Sequence, residues 1–172
     1  MRKTRRVQLV GLGLVCGGLL LMTAIGGCGQ SAATSNGQRV YLENCAGCHQ
    51  ADGQGIAGLY PPLVGAEWVV GAPSRLMRIT LHGPTGPYTV KGVRYANGTM
   101  PGFARLNDGD LADMLSYVRS AWGNRAGPVR AEDIAAIRQQ AAGRKTPWTA
   151  SELLALPEVQ ASGPETGADA VR

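Results

Sequence analysis

The chain has 172 residues, with 17 Lys and Arg against 12 Asp and Glu, a formal excess of +5. Arg2, Lys3, Arg5 and Arg6 account for four of the basic residues, so the rest of the chain carries 13 against 12, without the basic stripe that phosphate backbones require. Nucleic acid is therefore not an expected partner, and the high isoelectric point mostly describes the first few residues.

Those basic residues precede an uncharged stretch from Val7 to Gly27, the charged start and apolar core of a secretory signal. The signal is expected to cover residues 1–27 and to send the chain out of the cytoplasm. Ile25-Gly26-Gly27-Cys28 resembles a bacterial lipobox, in which Cys28 becomes the lipid-bearing first residue. Cys16, inside the apolar core, is lost with the leader. An uncleaved membrane helix is the alternative, since about 20 apolar residues cross a bilayer. Either arrangement tethers the domain to a membrane, on its periplasmic side. Residues 28–36 then comprise the lipidated Cys and a flexible linker, small and polar from Gly29 to Asn36.

The folded part is expected over residues 37–124, a length at which an apolar core is barely sufficient. Val40, Tyr41 and Leu42 read as a short helix leading into Cys45-Ala46-Gly47-Cys48-His49. This C-x-x-C-H run is the signature of covalent haem attachment. Each thiol adds to one vinyl group, and the imidazole lies beneath the iron as a proximal ligand. A dithiol oxidoreductase would instead open a helix of a βαβ unit with the pair, and a zinc site needs a second pair of ligands. Downstream of the motif the sequence supplies only His82. One covalent haem c, with its iron, also supplies the missing core.

Farther along, Ser74 is a plausible cap for a helix from Arg75 to His82, ended by Gly83 and Pro84. A small hairpin fits Thr89 to Tyr95. Met100 follows in a loop where Gly98 permits a tight turn and Pro101 blocks helix continuation. Such a loop can bring a thioether over the haem face opposite His49, which makes Met100 the expected distal ligand. Met77 and Met114 lie among helical apolar positions and read as core, and His82 reads as a residue capping a helix end. Asn107 or Asp108 caps a third helix, with Leu111, Met114, Leu115, Val118 and Trp122 as its buried stripe and Asp113, Ser116 and Arg119 opposite. Between Trp68 and Asn107 there is no acidic residue, whereas Arg75, Arg78, Lys91, Arg94 and Arg105 are present. That segment is a candidate docking field, or simply a solvated face. Residues 125–172 are expected to form an extension without assigned chemistry: helical over Ala131 to Ala142, with a second short helix capped by Thr149, and a composition that favours disorder from Pro157. The fold class expected is all-α, three or more short helices with long loops wrapped around the cofactor.

From Gly37 to about Asn124 these residues resemble the class I cytochromes c. In that family a Gly and an aromatic stand eight and four positions before the first haem cysteine, matched here by Gly37 and Tyr41. They are expected to pack on Met114 and Tyr117 of the last helix. Pro61-Pro62-Leu63-Val64-Gly65 matches the family's proline loop, which implies that the Pro61 carbonyl accepts the His49 N–H. Gly98-Thr-Met-Pro-Gly-Phe looks like the distal methionine loop. The resemblance implies the cytochrome c fold and one-electron transfer through a His/Met-ligated iron with no open position. Expected partners are redox proteins, such as an oxidase, reductase or dehydrogenase. Alternatives are a fixed haem c subunit of a larger oxidoreductase, and a peroxidatic or gas-sensing protein, which would need Met100 to dissociate.

Overall fold

In a computed structural model the described residues are 32–96 and 98–157, with the side chains of 32–34 left aside. The signal, Cys16, Cys28 and the chain beyond Pro157 lie outside them. Helix α1 (Ala32–Asn44) runs back into the stretch read as a linker. It crosses α5 (Asp108–Ser120) at Gly37, where a Cβ would fall 2.2 Å from the Asp113 carbonyl oxygen. Only glycine permits that approach, and it brings fully buried Tyr41 to 5.7 Å from the ring of Tyr117. Asn107 caps α5, its side chain accepting from the Asp110 N–H at 2.8 Å.

Three expectations about the helices are corrected. The helix α4 (Pro73–His82) starts with proline at its first position, preceded by Ala72, so Ser74 is not its cap. Proline suits that position because its missing N–H would have no partner there. The apolar stripe of α5 ends at Val118, since Trp122 sits past the helix in a 3-10 turn (Ala121–Gly123) with φ 53°. Its ring nonetheless packs on Tyr41 at 5.1 Å, because the turn folds back over α1. Arg119, placed on the solvent side by periodicity, is 5% exposed. Its guanidinium donates to the carbonyls of Val69 (2.6 Å), Gly71 (3.0 Å) and Gly127 (2.7 Å), tying α3 (Glu67–Val70) and the segment after α5 to that helix.

The only hairpin among the described residues joins β2 (Tyr88–Val90) to β3 (Val93–Tyr95), with Lys91 at φ 51° and Gly92 at φ 77° in the turn. Positive φ at both central residues gives the turn the twist a two-residue hairpin needs. Past Asn124 the chain does not leave the domain. Helix α6 (Ala131–Gln140) packs Ile134 and Ile137, both buried, against α4 and α5. Arg138 bonds the Asp108 carboxylate at 2.9 Å and the carbonyls of Ala104 and Leu106. The chain then returns as β4 (Trp148–Thr149), parallel to β1 (Pro84–Thr85), and ends in α7 (Ala150–Ala155). This parallel pair has no counterpart in the sequence reading. Helix α4 is thus covered on nearly every side, which is why Met77, Arg78, Thr80 and Leu81 are all buried. Among the described residues no helix is long and apolar enough to cross a membrane.

Candidate haem site

Cys45 follows the last turn of α1, its N–H bonded to the Tyr41 carbonyl at 2.8 Å, and the single turn α2 (Ala46–His49) carries the motif onward. This turn separates the two thiols: Cys45 is buried and Cys48 exposed. Burial and the neighbouring Cys48 push the Cys45 thiol up to about 11, so it is a neutral thiol in the unattached chain. His49 is 8% exposed, at the end of that turn.

The loop after the motif then doubles back. Ile56 and Tyr60 form a bridge, and Leu63 donates to the Gly53 carbonyl at 2.7 Å. Gly55, at φ 67°, lets the backbone pass so close to Tyr60 and Pro61 that a Cβ would lie 2.3 Å from the Tyr60 carbonyl oxygen. The result is a carbonyl under the imidazole: Nδ1 of His49 lies 2.9 Å from the Pro61 oxygen. A carbonyl only accepts, so Nδ1 carries the hydrogen and Nε2 keeps its lone pair. Burial holds the His49 pKa below the usual histidine range, partly offset by the Pro61 bond. The imidazole is therefore neutral and oriented, as a metal-ligating histidine must be.

An apolar cleft opens beside this ring. Cys45, Cys48, His49, Pro61 and Leu63 contribute to its wall, as do Leu76, Ile79 and Thr80 of α4 together with Met100 and Phe103. Two thiols, a neutral imidazole and a thioether thus share one apolar cleft, a donor set that fits a covalently attached haem and its iron. Of the rival ligands, His82 does not line the cleft: it ends α4, near Arg144 and Arg138. Met77 is buried outside it. Met114 does reach the cleft, but its sulfur lies 3.5 Å from Sγ of Cys45, at the attachment point.

The cleft has contributors that sequence reasoning missed. Ala150 and Leu153, from the extension given no chemistry, complete its wall. The available signal was Thr149-Ala-Ser-Glu152, a capping box in front of Leu153 and Leu154. The candidate docking field is narrower than expected. Arg78 is buried and bonded to Gln140 at 2.7 Å, and Arg75 lies over the Trp68 ring at 5.5 Å. The run from Gly53 to Ala66 carries no Asp, Glu, Lys or Arg of its own; its Leu59 lines the cleft together with Cys48, and Ile56 and Leu59 are 42% and 52% exposed.

A mostly helical chain that folds around a C-x-x-C-H cleft is a c-type cytochrome by architecture. The family described as cytochrome c matches residues 34–122, so the chain belongs to the cytochrome c family and carries covalently bound haem c. It is similar to cytochrome c-552 of Thermus thermophilus, 39% identical over 119 residues, 64% of this chain and 79% of that protein. It is also similar to the cytochrome c subunit of gluconate 2-dehydrogenase from Pantoea cypripedii, 40% identical over 113 residues, covering 62% of this chain and 24% of that subunit. A third relative is the cytochrome c subunit of a quinone-type alcohol dehydrogenase from Gluconobacter oxydans, 38% identical over 119 residues, 67% and 24% of the two chains. Haem-based electron transfer is the function these findings support.

Proposed function

We propose that this protein is a membrane-tethered electron carrier whose iron is held by His49 and Met100 and whose haem is attached through Cys45 and Cys48. Bound haem c supplies a couple between Fe(III) and Fe(II) that moves one electron at a time. The observation that carries the reading is the Nδ1–Pro61 contact of 2.9 Å, which fixes the neutral tautomer with Met100 lining the same cleft. With Nδ1 engaged by Pro61, Nε2 of His49 is the nitrogen that would hold the iron. Met100, on the wall of the same cleft, would be the second protein ligand to the iron, and a thioether there would favour the reduced form. The apolar walls disfavour added positive charge in the cleft and raise the potential in the same direction.

Exposed Cys48 shares the cleft wall with Leu59, and Leu59 with Ile56, whose carbonyl accepts the Leu59 N–H, would offer exposed apolar surface for a brief encounter with a partner. Its partners are redox proteins of an exported respiratory or dehydrogenase chain. Export rests on the leader, and the tether on Cys28, which raises the local concentration of carrier at the membrane. A fixed role as the haem subunit of a dehydrogenase is the second reading, favoured by relatives that are such subunits and of which this chain spans 24%.

Substituting Met100→Ala in the matured protein tests the ligand set. The weak near-infrared band of ferric iron bound to sulfur is expected to vanish and the potential to fall; an unchanged spectrum moves the ligand elsewhere. For the tether, mass analysis of the mature N-terminus should find diacylglycerol on Cys28, and Cys28→Ser should release active protein from membranes. Co-purification with stoichiometric dehydrogenase would favour the second reading.

A further inference from the structure

We propose that the segment from Arg144 to Leu156 is a strap that positions the Met100 loop and keeps the iron closed to outside ligands. This rests on Met100 being the distal ligand. The loop has little framework of its own: among its described residues, the first backbone-to-backbone hydrogen bond after Tyr95 is Phe103 N–H to the Thr80 carbonyl, at 2.8 Å. The Met100 backbone packs so closely on Gly83 that a Cβ there would lie 2.1 Å from the Met100 carbonyl oxygen, and Gly102 of the same loop packs on the Leu81 carbonyl, where a Cβ would lie at 2.6 Å.

Gly83 is in turn fixed from outside. Its carbonyl accepts the Trp148 N–H at 2.8 Å, and the next residues, Pro84 and Thr85, pair with Trp148 and Thr149. The strap, the Gly83 backbone and the Met100 loop are therefore three successive layers. Leu153, 2% exposed, seats the far end of the strap in the cleft wall. One side chain braces the strap: the Arg144 guanidinium lies 3.5 Å from the centre of the Trp148 ring and bonds the Glu152 carboxylate at 2.8 Å. Glu152 also accepts from the Thr149 N–H at 2.8 Å, closing the cap of α7. For an added ligand to replace Met100 the loop must move, which disturbs its close packing on Gly83 and so the backbone that Trp148 holds.

By linkage, whatever loosens the strap favours an open iron, and whatever opens the iron loosens the strap. Imidazole binding to the full-length ferric holoprotein reads the first half. Arg144→Ala and Glu152→Ala are expected to bind it about tenfold faster than the parent, the scale of a lost stacked guanidinium, while retaining the near-infrared sulfur band before imidazole is added. Ile137→Val, in α6 and clear of the strap, lowers stability without speeding entry. Amide exchange in the unmutated protein reads the second half: imidazole should accelerate exchange at Trp148 N–H. Equal binding rates in all variants, or a Trp148 amide indifferent to imidazole, overturns the strap. If Met100→Ala leaves the sulfur band intact, the ligand assignment itself has failed; if that band is lost while the strap variants behave as the parent, only the strap has.

Discussion

At the scale of single residues, the site depends on places where a side chain would not fit or where a buried group has one set of partners. Gly37 is such a place. Its substitution by alanine drives a methyl into the Asp113 carbonyl, separating α1 from α5 and disturbing the cysteine that follows. Overpacking of this kind costs about 1–3 kcal/mol, so Gly37→Ala should lower the denaturant midpoint without changing the axial ligands. Arg119 is the polar counterpart, a guanidinium among carbonyls whose burial holds its pKa below the usual arginine value. Arg119→Ala leaves the Val69 and Gly127 carbonyls without that donor, and hydrogen bonds to charged groups are worth about 1.5–3 kcal/mol each. A loss on that order or somewhat more, read by equilibrium unfolding, is the expected result. A loss below about 0.5 kcal/mol, typical of surface changes, would mean that this arginine sits in solvent as its helical position suggested.

At the scale of elements, α7 has a distinct acid sensitivity. Its cap rests on Glu152, whose carboxyl is held down to about 2 by the Thr149 N–H, then by Arg144 and the Thr149 hydroxyl, against an ordinary 4.5. A depressed carboxyl contributes stability that is complete above its unfolded value and disappears as pH falls through its folded one. The cap should therefore weaken from about pH 4.5 downward and be gone near pH 2, with amide exchange in 149–155 rising across that window. With Glu152→Gln this pH dependence should be flat. The same elements show what the sequence could reveal. The motif, Pro61 and Met100 stand out in the sequence as short local patterns, and the structure brings all of them to one cleft. The hairpin was legible only in outline, as a small one near Thr89 to Tyr95, and its turn at Lys91 and Gly92 was not read. The role of Leu153 was not, because it depends on β4 finding β1 more than sixty residues earlier, and two-residue strands leave no alternating pattern. Arg119 and Trp122 were misplaced for a related reason. Helical periodicity describes one helix in isolation, and here the carbonyls of α3 and the turn after Ser120 decide where those side chains go.

For the whole molecule, the open issue is how the carrier meets its partner, and the distribution of charge decides between two modes of encounter. A cationic field would steer an acidic partner, giving association rates that fall steeply with ionic strength. The surface here argues against that mode. Beyond the first six residues the formal balance is 13 to 12, Arg78 is buried, and the run from Gly53 to Ala66, whose Leu59 shares the cleft wall with Cys48, has no charge of its own. Lys91 is committed in part to the Val64 carbonyl at 3.2 Å, and Arg105 to Asn44 at 2.6 Å. An apolar rim instead favours encounters in which exposed Ile56 and Leu59 lose water against the partner, a contribution that salt does not screen. Electron transfer from membranes that hold the native donor should accordingly change by less than about threefold between low and physiological salt, where the screening length drops to about 8 Å. Leu59→Lys should slow it more than Arg94→Gln does. A steep decline with salt, or a larger effect at Arg94 than at Leu59, would return the docking role to the acid-free segment between Trp68 and Asn107.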